Sequence, residues 1–165
     1  MKTLLLVRHA KSSWDVSTIT DFERPLNERG KKDAPIMAQR MVQRKINIDA
    51  FVTSPAKRAK KTAEIFGSAY KKNKDELVLV SALYHATPTV FKTVIEQLDN
   101  DYAAVALFSH NTGITEFVNE LVENVVIDNM PTCSVFAVTA PVDKWKDFTK
   151  AKKELLFFDY PGAIV

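Results

Sequence analysis

The chain has 165 residues, 46% of them hydrophobic, and a formal net charge of +3. This length and composition predict one folded domain over residues 1–165 and exclude a disordered chain, while so mild a charge does not indicate nucleic acid binding. A single cysteine, Cys133, excludes a disulfide framework and a thiolate metal cluster. Strand-like residues directly after Met1 and the lack of a long apolar run predict a cytoplasmic protein without signal peptide or membrane span.

In chain order, the first predicted element is a strand over residues 2–7, because this continuous apolar run is typical of a strand buried on both faces. A long polar loop is predicted over residues 11–26, and loops of this length are usually functional or disordered. Asn27 then precedes a helix that should reach about Arg44. Its predicted inner face consists of apolar residues at helical spacing: Ala34, Met37, Ala38, Met41 and Val42.

A second strand is predicted over residues 49–53, followed by a helix that ends near Tyr70. Ser54 and Pro55 are predicted to cap this helix and open its first turn. The lysines on this helix are predicted to form a solvated face: Lys57, Lys60 and Lys61.

Strands and helices continue to alternate along the remainder of the chain. The further predicted strands cover residues 77–80, 102–108, 134–139 and 154–158, and the further helices cover residues 88–98 and 112–122. This alternation predicts a three-layer α/β/α sandwich with a mostly parallel central sheet and an antiparallel edge strand.

Polar residues follow the predicted strands where ligand crevices of open α/β sheets lie, beyond the carboxyl ends of the strands. Arg8 and His9 end the first strand. Arg58 comes in the first turn of the helix after the second strand, where an anion is favoured. His110 and Asn111 end a later strand.

Two arginines and two histidines at one point would concentrate positive charge, and a phosphoryl group fits such a site. Arginine meets phosphate oxygens with two hydrogen bonds, and positioned cations supply most of the catalysis of phosphoryl transfer. A histidine nucleophile must be neutral, whereas a protonated histidine can donate to the transferring group. We assign His9 as the nucleophile and His110 as the donor, because the Arg8-His9 pair is the more rigidly placed.

Three segments of the sequence resemble the histidine phosphatase superfamily, which is phosphoglycerate mutase-like, and within it the SixA-type phosphohistidine phosphatase branch. They are Leu-Val-Arg8-His9-Ala10-Lys11, Ser54-Pro55-Ala-Lys-Arg58-Ala59-Lys-Lys-Thr62 and Ser109-His110-Asn111-Thr-Gly113. Two further matches are Asp21-x-x-Arg24-Pro25-Leu26-Asn27-x-x-Gly30 and Leu83-Tyr84-His85-Ala86. The resemblance implies a phosphohistidine intermediate on His9, a phosphate pocket of Arg8, Arg58 and His110, and no metal or other cofactor.

The chain departs from the superfamily pattern at several positions. Ala10 and Ser109 stand where glycine is usual, and Lys61 stands where glutamine is common. The glutamate that serves as general acid in the mutase and sugar-phosphatase branches has no clear counterpart, and His85 stands near its place. The alkoxide that leaves from a phosphate ester needs a proton from an acid, and the imidazole that leaves from a phosphohistidine needs it less. The absence of the glutamate therefore favours substrates with a P–N bond over phosphate esters.

We therefore expect a phosphatase that acts on a phosphorylated protein, such as a histidine phosphotransfer domain, as a monomer and without nucleic acid or membrane. Lys11, Arg24, Asn111 and His85 are expected to contact the substrate. Asp15 and Asp21 are expected to pair with the loop cations, with a role as acids as the alternative. The alternatives are a small-molecule phosphomonoesterase of the same superfamily and a non-catalytic phosphoprotein-binding module.

Overall fold

A computed structural model of the chain, which describes residues 1–15, 17 and 19–163, contains a six-stranded mixed sheet. The strands, numbered along the chain, are β1 (Lys2–Arg8), β2 (Ala50–Thr53), β3 (Val78–Leu79), β4 (Ala104–Ser109), β5 (Val135–Ala140) and β6 (Glu154–Asp159). Their order across the sheet is β3-β2-β4-β1-β5-β6. The strands β3, β2, β4 and β1 pair in parallel, and β5 pairs antiparallel with both β1 and β6.

Helices cover both faces of the sheet. They are α1 (Glu28–Gln43), α2 (Lys57–Ala69), α3 (Pro88–Glu96) and α4 (Gly113–Leu121). Alternate residues of β1 point to opposite faces, so Leu5 packs in the core formed with α1 and α2, and Leu4 packs in the core formed with α3 and α4. The predicted three-layer α/β/α sandwich is thereby confirmed, with its antiparallel pairing at the β5–β6 edge.

Two local predictions for the helices were wrong. Helix α2 begins at Lys57 with Ala56 as its N-cap, so Ser54 and Pro55 precede it. The Ser54 hydroxyl accepts a hydrogen bond from the Ala56 amide at 3.2 Å instead of capping the helix. On α1, Val42 lies at the surface with 36% of its area exposed, because the buried stripe ends at Met41.

The third strand is shorter and more exposed than its sequence indicates. β3 consists of Val78 and Leu79 alone, and both side chains are exposed. A strand that pairs on one side only has no second neighbour to extend it, so an apolar run here yields a short edge strand.

The parallel strands bring the predicted site residues to one edge of the sheet. Arg8 at the end of β1 is in register with Ser109 at the end of β4, and the His9 amide donates to the Ser109 carbonyl at 3.1 Å. The predicted loop over residues 11–26 lies above this edge, with a single turn of 3-10 helix at Asp21–Glu23 and a bridge between Ser12 and Leu26. Val16 and Thr18 of this loop lie outside the described residues.

Within the described ranges, the helices are all too short or too polar to cross a membrane.

Candidate active site

A cavity of about 260 Å³ lies at the carboxyl ends of β1, β2 and β4. It is lined by all eight predicted site residues: Arg8, His9, Lys11, Arg24, Arg58, His85, His110 and Asn111. Four more residues complete its lining: Ser12, Trp14, Asp21 and Thr132. Segments far apart in the sequence thus meet in one pocket, as the strand-end positions predicted.

His9 lies at the bottom of the cavity with 6% of its surface exposed. Its Nδ1 is 2.7 Å from the carbonyl oxygen of Ala10, and only a protonated Nδ1 can donate to that oxygen. The lone pair of the neutral ring is therefore on Nε2, which accepts a hydrogen bond from Nε of Arg58 at 3.3 Å. Burial, together with the charges of Arg58 and Arg8, lowers the pKa of His9 to about 3, so the ring is neutral at physiological pH.

Arg8 is fixed from the opposite side by the chain that leads into β5. Its Nη1 donates to the carbonyl oxygen of Met130 at 2.7 Å. Its Nε is buried and has no hydrogen-bond partner among the described residues. Burial and the neighbouring Arg58 lower the pKa of Arg8, and an anion in the cavity would relieve both effects.

His110 lies beside His9, and the centroids of the two rings are 5.1 Å apart. Its Nε2 is 2.8 Å from the hydroxyl of Ser54, and its buried Nδ1 finds no partner in the part of the chain that the structure describes. Burial first, and then the charges of His9 and Arg58, lowers the pKa of His110 to about 2. The ring is therefore neutral in the free protein and carries one N–H, rather than the full positive charge expected from the sequence.

The guanidinium of Arg58 is held on three sides. Besides its contact with His9, its Nη1 donates to the Asp21 carbonyl at 2.6 Å and its Nη2 to the Asp21 carboxylate at 3.1 Å. Burial acts to raise the pKa of Asp21, but hydrogen bonds from Tyr84 and Arg58 outweigh it and hold this pKa at about 2. Asp21 is therefore ionised, and it pairs with Arg24 of the loop as the sequence led us to expect. The same expectation for Asp15 was wrong, because Asp15 is exposed and forms no ion pair within the described ranges.

Arg24 joins the same network from the loop. Its Nε lies 3.1 Å from the Asp21 carboxylate, and its Cζ lies 3.4 Å from the ring centroid of Trp14. The tryptophan is 74% exposed and covers the outer side of the guanidinium. Burial and the charge of Arg58 lower the pKa of Arg24, whereas Asp21 opposes that shift.

The remaining predicted residues lie at the rim. His85 is exposed, adopts a left-handed backbone with φ of 59°, and stacks on Tyr84 with ring centroids 3.9 Å apart. Lys11 is exposed as well. Asn111 forms hydrogen bonds with Thr115 and Asn129.

Two contributors were missed or misread from the sequence. Tyr84, whose hydroxyl donates to the Asp21 carboxylate at 2.6 Å, was noticed only as part of a motif. Ser54 was read as a helix cap, although its hydroxyl contacts His110. Neither contact leaves a local signal, because each joins residues more than fifty positions apart in the chain.

Among the described residues, His, Cys, Asp and Glu side chains form no group of three or more that could hold a metal ion.

The model of branch 1 of the histidine phosphatase superfamily matches residues 4–81. A phosphoglycerate mutase of Bartonella henselae, which depends on 2,3-bisphosphoglycerate, is 30% identical over 84 residues, which are 50% of this chain and 41% of the mutase.

Two solved structures share the whole fold. A protein of Agrobacterium tumefaciens assigned as the phosphohistidine phosphatase SixA superposes with a TM-score of 0.81, at 22% identity over 98% of this chain and 99% of that one. The protein histidine phosphatase SixA complexed with tungstate gives a TM-score of 0.80, at 20% identity over 96% of this chain and 97% of that one. At these identities the likeness is one of fold.

Proposed function

We propose that this chain, which belongs to the histidine phosphatase superfamily, is a phosphohistidine phosphatase that carries the phosphoryl group on His9. A phosphatase activity is supported by the superfamily match together with the structural likeness to SixA proteins. The nucleophile, the roles of the other residues and the preference for P–N bonds are the proposal. The observation that carries it is the tautomer of His9, whose Nδ1 donates to Ala10 and whose Nε2 carries the lone pair on the side of Arg58, a residue that lines the cationic cavity.

In the first step Nε2 of His9 attacks the phosphorus, and the bond from phosphorus to the leaving nitrogen breaks with its electron pair remaining on that nitrogen. Arg8 and Arg58 neutralise the charge on the equatorial oxygens, and the N–H of His110 donates to one of them. In the second step water attacks phosphorus, the bond from phosphorus to Nε2 breaks with its electron pair returning to His9, and phosphate leaves with the protons of the water.

The preference for phosphohistidine is supported by the lack of a protonated carboxyl group among the described residues of the cavity. Asp21 is the one carboxylate among the described lining residues, and its pKa of about 2 leaves it without a proton at neutral pH. A phosphate ester whose alkoxide must be protonated would therefore be a poor substrate. The imidazole of a phosphohistidine is a better leaving group, because it can be protonated from solvent.

A protein substrate is supported by the form of the rim. Lys11, Trp14 and His85 are exposed, so no described segment encloses the cavity. Structural likeness to two SixA proteins, one of them bound to the phosphate-like anion tungstate, points in the same direction. The partial match to a mutase keeps a small phosphate ester as the second candidate.

The test compares phosphate release from three substrates in the presence of EDTA. They are a histidine phosphotransfer domain phosphorylated with phosphoramidate, glucose 6-phosphate, and p-nitrophenyl phosphate. We expect the highest kcat/KM for the phosphorylated domain, and no loss of activity with the chelator. Rapid hydrolysis of the sugar phosphate with little activity on the domain would favour the second candidate. Binding of the domain without turnover would favour a binding module.

A further inference from the structure

A second groove lies next to the active-site cavity and has no part in the proposed chemistry. It has a volume of about 440 Å³ and a mostly apolar wall, and it is lined by seven residues. We call it the lysine groove: Pro25, Leu26, Lys31, Lys57, Lys60, Lys61 and Glu64. Lysine stems contribute apolar surface while their ammonium groups stay in water, so the groove offers an apolar floor with a cationic margin.

The charges around the lysine groove are poorly balanced. Four lysines face one glutamate. Lys31 lies 3.4 Å from Glu28, and Lys61 lies 3.8 Å from Glu64, and both lysine side chains are exposed. Lys57 and Lys60 form no salt bridge with any residue in the described ranges. Even with Glu28 counted, four lysines outnumber two glutamates, so the groove keeps a net positive charge.

The lysine groove borders the catalytic cavity. Pro25 follows Arg24 directly in the chain, and Lys57 precedes Arg58 directly. In each of these pairs one residue lines the cavity and its neighbour lines the groove. When a phosphohistidine on the surface of a protein enters the cavity, the neighbouring surface of that protein would therefore lie over the groove.

We propose that the lysine groove docks an acidic helical surface of the protein that carries the phosphohistidine, a proposal that rests on the proposed function. A helix with an apolar stripe flanked by Asp or Glu complements the apolar floor and the lysine margin. Docking there would supply affinity away from the reacting phosphorus and leave the chemistry to the cavity. Protein substrates would thus be selected by charge and not by sequence around the phosphohistidine.

The test uses the double variant Lys57→Glu with Lys60→Glu. Its matched control is Lys144→Glu with Lys146→Glu, which changes the net charge equally. Both control lysines are exposed and follow β5, whose antiparallel direction takes them to the opposite end of the sheet. The substrates are a histidine phosphotransfer domain of acidic net charge, phosphorylated with phosphoramidate, and free N-phosphohistidine.

For the phosphorylated domain, we expect the groove variant to raise KM about tenfold with little change in kcat, and to weaken the salt dependence of kcat/KM. Both variants should hydrolyse free phosphohistidine like the wild type. An unchanged KM for the domain, or an equal rise in the control variant, would overturn the docking proposal alone. A wild type that does not hydrolyse the domain would overturn the proposed function as well.

Two other occupants would also contradict the proposal. Wild-type dimerisation that the groove variant abolishes would assign the groove to a second copy of the chain. In the other case, the wild type and the control variant bind an RNA oligonucleotide that the groove variant does not bind, while all three turn over the phosphorylated domain equally. That result would assign the groove to nucleic acid.

Discussion

At the scale of single residues, the site places a neutral nucleophile beneath a cluster of cations. Burial and the two adjacent arginines keep His9 unprotonated, and the Ala10 carbonyl fixes which nitrogen carries the lone pair. The same arginines would bind the phosphoryl oxygens, so one arrangement both activates the nucleophile and attracts its substrate. In the free protein Asp21 pairs with Arg58 and Arg24 and offsets the repulsion between these two cations.

The first prediction concerns the charge of Asp21. The variant Asp21→Asn keeps the shape of the side chain but removes the negative charge that lies 3.1 Å from Arg58 and 3.1 Å from Arg24. Since Asp21 competes with the bound anion for both arginines, we expect the Kd for tungstate to fall by about fivefold, the order of one partly screened ion pair. Isothermal titration calorimetry at fixed ionic strength measures this.

The control for that prediction is Asp15→Asn in the same loop. Asp15 is exposed and forms no ion pair within the described ranges, so its Kd for tungstate should stay near that of the wild type. Weaker binding of tungstate by Asp21→Asn would contradict this prediction, because it would mean that the carboxylate mainly positions the arginines and does not compete with the anion.

Sequence reasoning could place part of the cavity lining because several of its residues lie at a strand end or at a helix start. Arg8, His9 and His110 can be placed from strand ends alone, since parallel strands end at one edge of a sheet. It did not find the hydrogen bonds of Ser54 and Tyr84, because these depend on how distant loops pack. Nor could it find the neutral state of His110, which depends on its depth of burial. The assignment of catalytic roles stays a prediction.

At the scale of elements, close approach between backbones holds the parts of the site together. A Cβ at Gly113, in the first turn of α4, would lie 1.8 Å from the carbonyl oxygen of Ala86. Ala86 follows His85, so this contact joins the start of α4 to the rim of the cavity. Gly67 in α2 has ordinary space around it, since a Cβ there would have its nearest neighbouring atoms at 3.6 Å.

The second prediction compares these two glycines. Gly113→Ala must push α4 away from the rim segment, so we expect a loss of about 1–3 kcal/mol in the free energy of unfolding. A displaced rim should also lower kcat/KM on phosphohistidine by at least about tenfold. Gly67→Ala should instead stabilise the protein by up to about 1 kcal/mol, because alanine favours a helix interior.

Urea denaturation and steady-state kinetics on both glycine variants provide the measurement. If Gly113→Ala were as stable and as active as Gly67→Ala, the tight contact between α4 and the rim would not matter.

Helix and strand positions followed from the sequence wherever an apolar period was clear. The errors occurred at ends. The predicted start of α2 is two residues early, because Ser54 and Pro55 are residue types that often begin a helix. In the structure the Ser54 hydroxyl contacts His110 instead. The length of β3 was overestimated because an apolar run does not reveal how many neighbours a strand has.

At the scale of the whole molecule, the buried histidines couple folding to pH. The folded-state pKa values of His9 and His110 are about 3 and about 2, below the ordinary value of 6.5. Below pH 6.5 the unfolded chain takes up protons that the folded chain does not, so stability is full above this pH. It decreases as pH falls toward 3.

The third prediction follows from that coupling. Between about pH 6 and pH 4 the free energy of unfolding should fall by roughly 2 kcal/mol per pH unit, since each buried histidine contributes about 1.4 kcal/mol per unit at most. The double variant His9→Gln with His110→Gln should flatten the slope, whereas His85→Gln, at an exposed position, should keep it. Urea titrations at a series of pH values test this, and an equal slope in all three proteins would contradict it.

The sandwich architecture could be predicted from the alternation of strands and helices, and the order of the strands could not. Nothing in the local sequence says that β4 lies between β1 and β2, because strand order depends on contacts between segments that are distant in the chain. That the chain is one domain stays a prediction.

The most direct measurement of the central claim is the detection of a phosphorylated enzyme. Wild type and His9→Ala are mixed with a ³²P-labelled phosphohistidine domain, quenched within milliseconds in alkali, and analysed for label on the chain. We predict label on the wild type that is stable to alkali and lost in acid, located by mass spectrometry on His9, with neither label nor turnover in His9→Ala. Turnover by His9→Ala, or label on another residue of the wild type, would contradict the account.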